Sequence, residues 1–263
     1  MPAVEEATTI DAVVERLDAI IASSRSKGSR LGYFPALYRK VTMEVKDRIS
    51  SGFFDDGERM ERLDVMFANR YLRAHQQYGG GEGENPTEVW QFAFDATQQW
   101  WPIVLQHLLL GMNAHINLDL GIAAVRTVGP TGLNDLHDDF NRINLVLVDL
   151  VGGVQRELAE IWPTLRIMGR FLGGVDKAIV NFSMDEARDA AWSFATRLGT
   201  LDEAGQDIEI QRRDGEMLEL ARFVRYPGLL LGAVTNIVRL GERGNVRDIL
   251  EILEQPSAAG GRR

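Results

Sequence analysis

The stretch HLLLGMNAHINLDL, residues 107–120, constrains the fold of this chain more than any other. On a helix advancing 100° per residue, with His107 at zero, Gly111, His115 and Asp119 fall at about 40°, 80° and 120°, and Asn113 and Asn117 near 240° and 280°. Leu108, Leu109, Leu110, Met112, Ala114, Ile116 and Leu118 cover the remaining directions. A helix that is apolar all round belongs in the middle of a fold. Its histidines, asparagines and aspartate are then buried, and each needs a partner, because an unpartnered buried polar group costs roughly 1–3 kcal/mol. His107, His115 and Asp119 interrupt the apolar run 103–125, which therefore reads as a core helix and not a membrane span.

Helical periodicity continues through the rest of the chain, with Gly, Pro and Asn between segments and no alternating strand pattern. The expected class is all-α: a single-domain multi-helix bundle over residues 1–255 around a buried central helix at 103–127, with 256–263 a disordered tail. Helices are expected over residues 10–24 with Thr9 as N-cap, 35–50 closed by Ser51-Gly52, and 58–77 after the turn FDDGE. Thr87 caps a fourth, which Pro102 breaks beside Trp100 and Trp101. Beyond Gly129-Pro130, Asn134 caps a helix to Ile161. Pro163 starts another to Asn181, and Ser183 with Glu186 forms a capping box for 184–198. Helices at 203–224, 228–241 and 244–254 complete the chain. The glycine-rich YGGGEGENP, residues 78–86, lacks the Gly-Lys-Ser/Thr ending of a phosphate loop and reads as a flexible connector.

Three helices carry polar rows that a common interior can collect. Asp64, Ala68, Tyr71 and His75 lie at i, i+4, i+7 and i+11 within RLDVMFANRYLRAH, and His115 and Asp119 are four apart on one face. His137, Asn141 and Asn144 share a face with Val148 and Gly152 that is expected to look inward. All four histidines of the chain lie in these segments. Trp90, Trp100, Trp101, Trp162 and Trp192 read as core or pocket wall, and Arg188 and Asp189 as solvated charges.

HLLLGMNAHINLDL, with RLDVMFANRYL upstream and HDDFNRIN downstream, resembles a bacterial family known only as a domain of unknown function, over most of the chain. More distantly it resembles the all-helical zinc-dependent phospholipase C and single-strand nuclease superfamily, whose members carry a His-x-x-x-Asp pair on a central helix. That second resemblance implies His115 and Asp119 as the pair, Asp64 as a carboxylate from an earlier helix and His137 as a later ligand. There is no second His-x-x-x-Asp/Glu pair and no N-terminal histidine or tryptophan ligand, which limits the implied site to one or two divalent ions, zinc, iron or manganese.

Three functions fit these residues. The first is a metal-dependent hydrolase of a small ester or phosphoester, with His115, Asp119, His137, Asp64 and His107 as candidate ligands and Asp64 as general base. The second is a metal-free isomerase or cyclase of a small apolar molecule, with His115 oriented by Asp119 and Asn113, Asn117, Asn141 or Asn144 donating to a developing oxyanion. The third is a non-catalytic helical binding or scaffold protein with a buried polar network. A net charge of −9 and the absence of a concentrated basic face argue against nucleic-acid binding. With no cysteine, disulfides and thiolate sites are excluded. The remaining expectations are a small-molecule substrate, no integral membrane segment, a homodimer left open, and a cytoplasmic location by default, since MPAVEEATT carries no secretion signal.

Overall fold

A computed structural model describes residues 6–80, 85–161, 184–228, 235, 238–242 and 244–255, with side chains at 148–160 and 185 left aside. Among the described residues the chain is helical without strands: α1 (Ile10–Lys27), α2 (Tyr33–Ser50), α3 (Gly57–Tyr78), α4 (Glu88–Thr97), α5 (Val104–Ala114), α6 (Leu120–Ile161), α7 (Met184–Leu198), α8 (Glu203–Arg225) and α9 (Val246–Glu254). They pack as one body around α5 and the start of α6. The helix expected at 163–181 and the middle of the connector at 78–86 lie outside the described residues.

Local chemistry sets the boundaries. Thr9 caps α1 by accepting the Ala12 N–H, and Asp56 caps α3 by accepting that of Arg59 at 2.9 Å. Pro35 falls in the first turn of α2, where its missing N–H costs nothing. Helix α4 departs from expectation. Thr87 holds the N-cap position without a side-chain bond; Asp214 of α8 does the capping, accepting the Glu88 and Val89 N–H groups at 2.7 and 3.0 Å. The helix stops at Thr97, three residues short of the tryptophans.

Asn134 is not an N-cap. The chain bends at Gly129 (φ 68°) and Pro130 restarts the helix at once, because its fixed φ already suits a first turn. The inward face of this second half of α6 is Leu133, Leu136, Asp139, Phe140 and Val146, all buried, and not the expected row: His137 and Asn141 are exposed. The tryptophans divide as well. Trp90 is fully buried, whereas Trp100 and Trp101 are 63% and 45% exposed and serve as surface rather than core. Arg188, expected in solvent, is buried and donates to the Phe140 carbonyl.

The segment around α5 and α6, Val104–Leu147, includes a window long and apolar enough to cross a membrane, and 89% of that window is buried inside the fold. Between α5 and α6 the helix widens. Residues His115–Asp119 form a π-turn, in which the Leu120 N–H reaches back to the His115 carbonyl. Such insertions interrupt the regular ladder and recur at functional sites.

Candidate functional site

Three stripes meet at the π-turn. On α2, Phe34, Tyr38 and Thr42 recur every four residues, and Phe34 and Tyr38 stack with ring centroids 5.8 Å apart. On α3, Asp64, Phe67, Ala68 and Tyr71 face the same way, with Ala68 small enough to let the helix approach. His115 projects between them, stacked on Phe67 at 3.5 Å and edge-on to Tyr38 at 4.5 Å, with Tyr71 at 6.2 Å and Trp90 at 6.0 Å. Gly111, one turn earlier, makes room for Phe34: a Cβ there would lie 2.4 Å from Phe34 Cδ2. The imidazole thus stands in an aromatic box.

Asp119 fixes it from one side. Its Oδ2 lies 3.4 Å from His115 Nδ1 and accepts the Trp90 indole N–H at 2.8 Å, while Oδ1 accepts Arg70 Nε at 2.6 Å. Burial alone would raise this carboxyl, but Arg70 and His115 reverse the shift and hold it below its usual range. An ionised Asp119 beside Nδ1 keeps the ring proton there, so the lone pair sits on Nε2. Burial lowers the imidazole further, against the pull of Asp119, and leaves it neutral at pH 7.

The opposite side of the box is left unsatisfied. His115 Nε2, Tyr71 Oη and Asp64 Oδ2 are buried and meet no hydrogen-bond partner among the described residues. Tyr38 and Thr42 place their hydroxyls beside each other and reach nothing else. Burial, reinforced by Glu61, pushes Asp64 up to about 7, and burial also raises Tyr38 and Tyr71, so both phenols stay protonated. A native interior leaves few such groups, and each costs about 1–3 kcal/mol. Several of them lie on the residues that wall the imidazole or share their helix face.

The asparagines serve the frame instead. Asn113 donates to the Met217 carbonyl of α8 at 2.9 Å and accepts from Asn117 at 3.0 Å, and Arg213 Nε donates to the Asn117 carbonyl inside the π-turn at 3.0 Å. Asn141 pairs with His137 Nε2 at 3.1 Å on the exposed side of α6, where the His137 ring packs on Trp192 at 4.7 Å. His75 neighbours Tyr71 and Phe94 at the far end of the α3 stripe. His107 lies against Tyr33 in a separate cluster of the core.

Of the ligand set His115, Asp119, His137, Asp64 and His107, the structure pairs His115 with Asp119, sets Asp64 on the α3 face that also carries Phe67 and Tyr71 beside the imidazole, and leaves the other two elsewhere. Arg70 supplies beside Asp119 the positive charge that an ion would bring. The free donors, one imidazole nitrogen and one carboxylate oxygen, fall short of the three protein ligands of a catalytic zinc. Among the described residues no group of three or more His, Cys, Asp or Glu is disposed to hold a metal. The sequence reading did not single out Tyr38, Thr42, Phe67 or Arg70. The i, i+4 spacing of Phe34, Tyr38 and Thr42 and the need of a buried Asp119 for a cation were the signals available.

The chain belongs to the family described as DUF5995, a family of unknown function, whose match covers residues 10–227 and so includes every residue of the aromatic box. No curated protein and no solved structure matches it.

Proposed function

For this member of a family without an assigned activity, we propose a metal-free acid–base enzyme acting on a small, largely apolar molecule that carries one polar reacting group. The observations that support this reading are a bare, oriented imidazole nitrogen, His115 Nε2, and an unpartnered carboxyl, Asp64 Oδ2, both buried, on the π-turn and on the helix whose Phe67 stacks on that imidazole. His115 takes the proton, and Asp119 and Arg70 hold its tautomer as positioning residues. Asp64, poised near neutrality, returns a proton at a second atom, the usual division of labour where two groups have unequal environments. The Tyr38 and Tyr71 hydroxyls donate to an oxygen that gains charge as the proton leaves carbon. The product is an isomer of the substrate, so no co-reactant is required.

Deuterium uptake tests this without knowledge of the natural substrate. The protein is incubated in D2O with a panel of small apolar ketones and enones, which are then analysed by mass spectrometry. Wild-type protein is expected to label at least one carbonyl class at the carbon beside the carbonyl, and His115→Gln and Asp64→Asn are expected to lose that labelling. Labelling that survives both substitutions, or a panel left unlabelled by wild-type protein, contradicts the proposal.

A further inference from the structure

His107 and the arginines around it play no part in the box at His115. His107 lies two turns earlier, about 12 Å along the helix axis, and Phe34, seated on Gly111, stands between the two histidines. It is 4% exposed, packs against Tyr33 at 5.7 Å, and has the Pro102 backbone as the hydrogen-bonding group within its reach.

The charges of three guanidinium groups are felt there: Arg30 before α2, which donates to the Thr97 carbonyl at 3.4 Å, Arg225 at the end of α8, and Arg239. Burial first, then these three charges, push the imidazole down to about 3, so it is neutral. Arg225 is 2% exposed; its Nη2 donates to Gln99, while Nε and Nη1 meet no acceptor among the described residues. Arg239 donates Nη1 to Glu242 and leaves Nε unused. Among the described residues, the carboxylate set against these cations is that of Glu242. Its other oxygen is committed to the Val104 N–H at 2.9 Å, closing the N-terminus of α5. Positive charge is therefore in surplus where water is scarce, and an uncompensated buried charge is costly.

A rim surrounds this surplus. Arg225 lies over the Trp101 ring at 4.4 Å and over Tyr226 at 4.8 Å, and Arg239 lies over Trp100 at 4.9 Å. Trp100, Trp101 and Tyr226 are also open to solvent.

We propose that Arg30, Arg225, Arg239 and His107, rimmed by Trp100 and Trp101, bind the oxyanion of a small organic ligand, a carboxylate or phosphate group. Guanidinium groups recognise both with charge-assisted hydrogen bonds. The unused nitrogens of Arg225 and Arg239 supply donors, neutral His107 adds no competing charge, and the indoles give the organic part a face to lie on.

Tryptophan fluorescence and melting temperature of the full chain, titrated with inorganic phosphate or with acetate at constant ionic strength in chloride, test this site. A saturable fluorescence change with a raised melting temperature is expected for at least one anion. Phosphate alone identifies a phosphate group, acetate alone a carboxylate, and both the shared chemistry. Arg225→Met and the milder Arg239→Gln are each expected to weaken binding about tenfold or more, the worth of one charge-assisted bond. Chloride-like behaviour of both anions overturns the proposal, and so does undiminished binding in Arg239→Gln, whose fold is checked by its own melting curve.

Discussion

Asp64 and Asp139 are both withdrawn from water, and their surroundings treat them in opposite ways. Asp139, fully buried on α6, accepts the Asp55 and Asp56 N–H groups at 2.8 and 3.0 Å, Arg59 at 3.0 Å and Arg142 at 3.0 Å. Burial would raise it, but these bonds prevail and hold it below the usual carboxylate range. It staples the turn before α3 to α6. Asp64, eight residues beyond that turn, has an oxygen with no donor and is raised to about 7. A buried carboxylate with both oxygens engaged is a structural part; one left short of donors fits the acid–base role proposed for Asp64. Functional groups commonly cost their fold stability.

The largest effect that sharpens this contrast is expected at the stapled side. Asp139→Ala strands two guanidinium groups and two N–H groups, so chemical denaturation should show a loss of about 3–5 kcal/mol. Next is the wall of the box. Gly111→Ala drives a methyl into Phe34, and a loss of about 1–3 kcal/mol is expected from overpacking, together with loss of any carbonyl labelling. If that variant melts like wild type, Phe34 does not close the box as described.

Asp64→Asn should act in the other direction and depend on pH. The folded protein binds the Asp64 proton more tightly than the unfolded chain, so wild-type stability falls as pH rises from 3.8 to about 7 and then levels. The asparagine variant escapes this fall. Relative to wild type it should gain up to a few kcal/mol by pH 8 and lose the advantage near pH 4, as melting curves across that range can check. The smallest effect is expected on α6. His137→Ala and Asn141→Ala lie on the exposed side and should change stability by less than about 0.5 kcal/mol and labelling not at all. Metal analysis separates the remaining reading: protein purified without tag or chelator is expected to carry no stoichiometric zinc, iron or manganese. A full equivalent that Asp119→Ala removes would return the box to metal chemistry.

The parts of this comparison that sequence could show are those carried by helical spacing. The row Asp64, Ala68, Tyr71 was legible because i, i+4, i+7 positions share a face wherever the helix lies, and His115 with Asp119 because a helix apolar all round must be buried. The α6 row misled, since spacing tells which residues share a face but not which face turns inward; there Leu133, Leu136 and Phe140 took the core. The π-turn left no trace in the pattern. Long-range partners were equally hidden: Arg70 to Asp119, Asp214 to the start of α4 and Glu242 to the start of α5 depend on how distant helices dock. The family match adds that the chain has relatives, without saying what they do.

The most direct test is the melting temperature of Asp64→Asn and Asp139→Asn beside wild type at pH 8. The account predicts that Asp139→Asn melts lower and that Asp64→Asn melts at or above wild type. If both variants melt lower by similar amounts, Asp64 is a structural carboxylate like Asp139, and the box at His115 is core rather than a site.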